Sequence, residues 1–231
     1  MPAQLLQLEA APDLVDRVYR SLLDAISGGT LAPGTRITQE EIAQQLAVSR
    51  QPVLQALRLL KKDGFVQDAP GRGLQVAPLD TVAIRNIYQV RGALDALAAR
   101  LAAQRRYRMP DEVIAAGRAA ARSDDVAAMI EADLGFHRAI YEAAGNPLIG
   151  ESAQLHWRHL KRVMGAVLQE MGQREAVWDE HQRIADAIAA GDGERAARLI
   201  EDHSLQASRT LAERLEQVLQ SAPTNDPRRQ T

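Results

Sequence analysis

Cysteine is absent from the sequence, and its absence excludes disulfide frameworks, thiolate metal sites and cysteine nucleophiles. No apolar run approaches the length of a membrane-spanning helix, so we expect no membrane partner. The first dozen residues have neither a basic leader nor a long apolar core, which predicts no signal peptide and makes a cytoplasmic location the default. A strongly basic balance is also missing, since the net charge is −2, and any nucleic-acid binding must be argued from local residues.

The length and composition are those of a folded protein with two modest domains. Hydrophobic residues make up 46% and charged residues 25% of the 231 residues, a balance typical of globular proteins. The sequence changes near Pro78 to an alanine-rich helical periodicity, which sets the domain boundary. The predicted breaks in this periodicity lie near Pro110, Ser123, Gly145, Gly172 and Gly191. The predicted segments are a flexible N-terminus at 1–11, a first domain at 12–78, an all-helical second domain at 79–220 and a disordered tail at 221–231.

The first domain is predicted to contain three helices followed by a β-hairpin. Apolar residues recur at helical spacing, and glycine or proline marks the breaks. Ser49 is the expected N-cap of the third helix, and Pro52 lies in its first turn, where the missing N–H costs nothing. The predicted elements are helices at 12–27, 39–47 and 50–62 and strands at 65–66 and 74–76.

The second and third helices, from Thr38 to Lys62, have the layout of a helix-turn-helix. In that motif the second helix enters the major groove and its N-terminal side chains reach base edges. The hairpin tip carries Arg72 between two glycines, which predicts a wing that approaches a phosphate or the minor groove. From Thr35 to Arg72 there are six Lys or Arg and four Asp or Glu, a local charge of +2. The candidate DNA contacts are Arg36, Ser49, Arg50, Gln51, Gln55, Arg58 and Arg72.

These basic residues have a second explanation, because a small helical domain with a solvated face would show the same composition. The order of motifs favours DNA binding. The motifs are Leu31-Ala-Pro-Gly-Thr-Arg-Ile, Glu41-Ile-Ala-Gln-Gln-Leu-Ala-Val-Ser-Arg-Gln-Pro-Val, Ala56-Leu-Arg-Leu-Leu and Gly64-Phe-Val. This series resembles the winged helix of the GntR family, which implies that a homodimer binds double-stranded operator DNA and that Arg50 contacts it. Leu54 and Ala47 stand where the family commonly has a second arginine and a glycine.

Three helices of the second domain each place ionisable residues on an apolar face. Asp133 and His137 are four residues apart, so they lie on one side of their helix about 6 Å apart along its axis. His181 and His203 lie on the apolar stripes of two later helices. Three histidines and one carboxylate suit zinc first, with nickel, iron or manganese as other divalent candidates. Two alternatives stay open: the histidines are hydrogen-bonded core residues, or Asp133 pairs with a buried arginine.

Arg91 lies on an otherwise apolar stripe and is therefore predicted to point inward. A buried guanidinium can bind a carboxylate with two hydrogen bonds, which predicts a small organic acid as effector. Pairing with a buried Asp or Glu explains its position equally well. His156 has the helical spacing of an inward-facing residue, and we expect it to line the same effector cavity as Arg91.

Motifs in the second domain follow the order of a known ligand-binding domain. They are Asp133-Leu-Gly-Phe-His, Ala143-Ala-Gly-Asn, Glu180-His and Gly191-Asp, followed by Ala196 and His203. They resemble the FCD domain of the FadR-type branch of the GntR family. The resemblance implies an antiparallel helical bundle around a metal held by the aspartate and three histidines, with carboxylate-bearing metabolites as effectors. The candidate effector-binding residues are Arg91, Asn146 and His156.

The prediction is a mainly α protein in which a winged helix-turn-helix precedes an antiparallel helical bundle. Its predicted function is effector-responsive transcription regulation, as a metabolite-controlled repressor and not as an enzyme. One alternative is a helical metalloenzyme, but no His-Glu-x-x-His element accompanies the four metal-binding residues, and the winged helix would then have no role. A second alternative is a dimerisation module whose metal is purely structural.

Overall fold

The computed structural model describes residues 14–168 and 175–221. The chain divides into two compact units between Pro78 and Leu79. None of the described helices is long and apolar enough to cross a membrane. The predictions that lie outside the described residues are the flexible N-terminus at 1–11, the helix break at Gly172 and the tail after Ser221.

The described part of the N-terminal unit contains three helices and a three-stranded antiparallel sheet. Its elements are α1 Leu14–Ser27, β1 Arg36–Ile37, α2 Gln39–Gln45, α3 Arg50–Lys62, β2 Val66–Asp68 and β3 Leu74–Val76. The central strand is β3, in which Gln75 lies opposite Arg36 on one side and Gln67 on the other. The three predicted helices and the hairpin are confirmed, except that the first hairpin strand is Val66–Asp68 and not 65–66. Strand β1 was not predicted, because two residues have no periodicity of their own and form a strand only by pairing with β3.

The apolar faces of α1 and α3 form the core of the N-terminal unit. Leu23 and Ile26 of α1 are 2% exposed, and Leu57 and Leu60 of α3 are 1% and 0% exposed. Burying one such side chain contributes about 1.5–3 kcal/mol. Because this face of α3 points into the core, the opposite face is left to solvent.

The turn from α2 to α3 contains a strained residue. Thr38 is the N-cap of helix α2: its Oγ1 accepts a hydrogen bond from the Glu41 backbone N–H at 3.2 Å and donates to Glu41 Oε2 at 2.7 Å. The helix ends at Gln45 and not at Ala47 as predicted, because Ala47 has φ = 51°, in the left-handed region. An alanine in this conformation costs roughly 1–2 kcal/mol.

The C-terminal unit is a helical bundle. Its helices are α4 Thr81–Gln104, α5 Asp111–Ala121, α6 Val126–Ala144, α7 Pro147–Val167, α8 Glu175–Ala190 and α9 Gly193–Ser221. Helix α4 packs along α9 and also contacts α6, α7 and α8. The breaks before α5, α6, α7 and α9 occur where proline, serine or glycine predicted them. Ser221, where the tail was predicted to begin, still belongs to α9.

Two consecutive arginines after α4 hold the carboxyl ends of two other helices. Arg105 Nη1 donates to the carbonyl oxygens of Ala143 and Ala144 at the end of α6. Arg106 Nη1 donates to the carbonyl oxygen of Ala190 at the end of α8, at 3.0 Å. A cation near a helix C-terminus satisfies carbonyls that have no partner inside the helix and stabilises the helix dipole.

Candidate metal centre and DNA-binding surface

The four predicted metal-binding residues come together inside the C-terminal unit. Helix α6 supplies Asp133 and His137, α8 supplies His181 and α9 supplies His203. Each offers one ligand atom, and these atoms all lie within 4.8 Å of one another. The three histidines are buried and the Asp133 side chain is 17% exposed. Three helices thus direct a carboxylate and three imidazoles at one point.

Two of the distances between these atoms match the separation of neighbouring ligands on a metal ion. His181 Nε2 lies 3.3 Å from His203 Nε2 and 3.4 Å from Asp133 Oδ1. Ligand atoms bound about 2.1 Å from one tetrahedral zinc are about 3.4 Å apart. These contacts therefore have the separation of neighbouring ligands in a tetrahedral shell.

Electrostatics keep two of the rings in the form that binds a metal. Burial lowers the pKa of His181 well below its ordinary value, and the neighbouring His203, His137 and Arg91 lower it further. Burial also lowers the pKa of His137, and Arg91 adds to this effect while Asp95 opposes it. Neutral imidazole is the form that coordinates a metal ion.

Contacts around the cluster orient the rings. His203 Nδ1 donates to Glu180 Oε2 at 2.8 Å, so the neutral ring keeps its lone pair on Nε2, toward the other ligand atoms. Phe136 stacks on His181 with ring centroids 4.0 Å apart. Within the described structure, Nδ1 of His137 and Nδ1 of His181 are buried and have no hydrogen-bond partner.

Arg91 lies next to the cluster as the centre of a buried polar network. Its Nε donates to Asp95 Oδ2 at 2.9 Å and its Nη2 donates to His137 Nε2 at 3.2 Å. Asp95 also accepts hydrogen bonds from the Tyr141 hydroxyl and from Ser204 Oγ. The buried arginine thus pairs with Asp95 and not with Asp133, the pairing that had been left open. Asp133 stays available as a metal ligand.

A cavity of about 140 Å³ adjoins the cluster. Two of the metal-binding residues, Asp133 and His203, line it together with Arg91. The cavity also has polar lining residues that were not predicted as site residues: Tyr88, Glu180, Gln206 and Thr210. Glu180 stood in a recognised motif beside His181, whereas nothing in the local pattern marked the others.

The other two candidate effector residues do not line this cavity. Asn146 is the N-cap of α7, and its Oδ1 accepts a hydrogen bond from the Leu148 backbone N–H at 3.2 Å. That contact gives Asn146 a structural role. His156 is half-buried on α7, and burial together with Arg91 lowers its pKa.

The N-terminal unit presents most of its candidate DNA contacts on an exposed surface. Gln51, Gln55 and Arg58 are exposed on α3, and Arg72 is exposed between β2 and β3. Ser49 occupies the N-cap position of α3 but its side chain makes no capping hydrogen bond.

Two of the candidate arginines already have partners. Arg50 Nη2 lies 2.7 Å from Glu40 Oε1, with both side chains more than half exposed. Arg36 donates to the carbonyl oxygens of Pro70 at 2.9 Å and Arg72 at 3.1 Å, so its guanidinium supports the hairpin tip. Arg50 is the first residue of α3, and its contact with a base stays a prediction.

Models of two protein families match the chain in the order of its two units. The model of the bacterial regulatory proteins of the gntR family matches residues 14–76, and the FCD domain matches residues 86–207. The chain belongs to the GntR family. Its FCD domain places it in the FadR-type branch of that family.

Relatives of this GntR protein match along most of their length. The HTH-type transcriptional regulator YdfH of Escherichia coli is 26% identical over 210 residues, covering 89% of this chain and 92% of that protein. The HTH-type transcriptional repressor RspR of Escherichia coli is 25% identical over 210 residues, with the same coverage. The structure of Escherichia coli McbR/YncC has a similar fold, with a TM-score of 0.72, 22% identity and coverage of 89% of this chain and 100% of that one.

The family settles the class of function. GntR proteins are transcription regulators, and the winged helix-turn-helix of residues 14–76 implies DNA binding. The FCD domain implies binding of an effector. The alternative of a helical metalloenzyme is therefore wrong, because the proteins of this family are regulators and not enzymes.

Proposed function

We propose that the protein is a homodimeric repressor whose affinity for a roughly palindromic operator is controlled by a small organic acid. The acid binds in the cavity beside a divalent metal ion, zinc first. Asp133, His137, His181 and His203 hold the ion, and Arg91 lines the cavity beside it.

The observation that carries this proposal is that the metal-binding set and the cavity share residues. Asp133 and His203 offer ligand atoms to the metal and also line the cavity. An ion with four protein ligands can accept a further oxygen ligand when its shell expands to five. A carboxylate in the cavity would therefore reach the ion, and acid binding would be coupled to the positions of α6, α8 and α9.

DNA binding is assigned to the exposed face of α3 and to the hairpin tip. Arg50, Gln51, Gln55 and Arg58 offer amide and guanidinium groups of the kind that read purine edges or contact phosphates. A twofold-symmetric dimer binds a palindromic site because each half-site meets one winged helix. The action as a repressor follows the assignment given to the relative RspR.

The decisive experiment measures metal content and operator binding on the same variants. His181→Ala should lose the metal and its response to the acid while keeping specific DNA binding, because the substitution lies in the C-terminal unit. His159→Ala is the matched control, since this α7 histidine is outside the metal-binding set. It should keep about one ion per chain.

Two outcomes would contradict the proposal. Full metal content in His181→Ala would show that the cluster is not the metal site. A metal-loaded protein whose operator affinity responds to no organic acid would favour the remaining alternative, a dimerisation module with a structural metal.

A further inference from the structure

We infer that the cavity takes a monocarboxylate whose remaining part is a single compact apolar group, such as a benzene ring or a short branched alkyl chain. The inference rests on the proposed function, because it assumes that the cavity beside the metal-binding set is the effector site. It narrows the effector from organic acids in general to one chemical class.

The charges around the cavity support one carboxylate and not two. Among the described lining residues, Arg91 is the only arginine or lysine, and its charge is already matched by Asp95 at 2.9 Å. The other charged side chains of the lining, Asp133 and Glu180, are acidic. A second carboxylate would meet no unmatched protein cation, and burying an unpaired charge is strongly unfavourable.

The walls of the cavity support an apolar remainder. Met164, Leu168, Trp178 and Leu211 line the cavity and are at most 9% exposed. The uncharged polar residues Gln206 and Thr210 are the more exposed part of the lining. A polyhydroxylated chain would place some of its hydroxyl groups against these apolar walls, where they find no hydrogen bonds, at a cost that an alkyl or aryl group avoids.

The volume supports a compact group. The cavity measures about 140 Å³. An apolar protein cavity of about 150 Å³ holds one benzene molecule. A single six-membered ring, or a branched chain of similar volume, therefore fills the space, whereas a long acyl chain exceeds it.

The test compares acids by titration calorimetry on the full-length protein loaded with zinc. The probes are benzoate and 3-methylbutanoate against succinate, citrate and gluconate. We expect each monocarboxylate to bind at least about tenfold more tightly than any of the other three acids, as expected for an unpaired charge or buried hydroxyls. Tighter binding of succinate, citrate or gluconate would overturn this inference and leave the proposed function intact. Binding of none of the acids would overturn both.

A pair of substitutions tests whether benzoate binds in this cavity. Ala207 lines the cavity on α9, so Ala207→Leu should lower benzoate affinity at least about tenfold without changing metal content. Ala176→Leu on the exposed surface of α8 is the matched control and should bind benzoate as the natural chain does. Met164→Ala, a second and independent variant, enlarges the cavity and should shift the preference toward 3-phenylpropanoate. Unchanged benzoate affinity in Ala207→Leu together with an unchanged preference in Met164→Ala would overturn the inference.

Discussion

Arg91 Nε donates to Asp95 Oδ2 at 2.9 Å across one turn of α4, and their side chains are 1% and 0% exposed. The carboxylate also receives hydrogen bonds from Tyr141 on α6 and Ser204 on α9. Burial raises the pKa of Asp95, but Arg91, His137 and the Tyr141 hydroxyl outweigh burial and hold this pKa far below its ordinary range. One buried ion pair thus joins α4 to the two helices that carry Asp133, His137 and His203.

Removing the charge of Asp95 should destabilise the C-terminal unit strongly. Asp95→Asn leaves the Arg91 guanidinium buried without a counter-ion, and breaking a buried pair from one side costs about 3–5 kcal/mol. The free energy of unfolding from urea titration measures the loss. Asp186→Asn, at an exposed position of α8, should change stability by less than about 0.5 kcal/mol. Equal losses in the two variants would show that the pair contributes nothing.

Glycine at position 47 should stabilise the N-terminal unit. Ala47 has φ = 51°, which is strained for alanine and ordinary for glycine, so Ala47→Gly should raise the free energy of unfolding by about 1 kcal/mol. Thermal and urea denaturation measure the gain. Ala115→Gly, at an exposed position in the middle of α5, is the control, because glycine within a helix costs roughly 0.5–1 kcal/mol. A loss of stability in Ala47→Gly would contradict the strain.

Arg50 and Glu40 should act in opposite directions on DNA affinity. If Arg50 reads a base, Arg50→Ala should weaken specific binding by about 1–3 kcal/mol. The exposed pair with Glu40 is worth no more than about 1 kcal/mol, so Arg50 can exchange this partner for DNA, and Glu40→Gln should strengthen binding. Fluorescence anisotropy with operator and unrelated DNA at one salt concentration measures both. Unchanged specific binding in Arg50→Ala would remove the assignment.

Arg36 should affect DNA binding through the hairpin tip. Its guanidinium holds the carbonyl oxygens of Pro70 and Arg72, so Arg36→Ala should loosen the turn that carries Arg72. Residues that act through one contact have non-additive effects, with coupling of about 0.5–3 kcal/mol. A double-mutant cycle of Arg36→Ala and Arg72→Ala on operator affinity measures this coupling. Strict additivity would instead indicate that Arg36 contacts DNA independently.

Acid should destabilise the metal-free protein in the range where unfolded histidine titrates. The folded-state pKa values of His137 and His181 lie below the ordinary value of 6.5, so the unfolded chain binds more protons than the folded one below that pH. The stability that these two neutral histidines contribute is therefore present above about pH 6.5 and is lost as the pH falls toward their lowered folded-state pKa values. Melting temperatures of chelator-treated protein from about pH 8 to about pH 5 measure the loss. A flat profile would contradict it.

The sequence predicted that the four residues of the proposed metal site come together, because the periodicity of three helices and one spacing rule turn them inward. Asp133 and His137 share a face at a separation of four, and the apolar stripes of α8 and α9 turn His181 and His203 toward the same core. The winged helix was predictable for a similar reason, since its turns are marked by glycine and proline. Helix ends were less predictable where a residue adopts an unfavoured conformation, as Ala47 does.

Partner choice within the core was not predictable in the same way. Periodicity placed Arg91 inside but could not say whether Asp95 or Asp133 would pair with it, because both acids lie within reach of a long side chain and the choice depends on how α4 and α6 pack. The contact that Asn146 makes was not predictable from the sequence either. It was a candidate for effector binding, and the structure shows it as the cap of α7.

The two arginines after α4 have a consequence for the metal centre. Arg105 donates hydrogen bonds to the end of α6, about seven residues and roughly 10 Å beyond His137 along the helix. Arg106 donates a hydrogen bond to the end of α8. The positions of the two helices that carry His137 and His181 therefore depend on one dipeptide that offers no ligand atom itself. We therefore expect a change in this dipeptide to alter the geometry of the proposed metal site while Asp133 and the three histidines stay in the sequence.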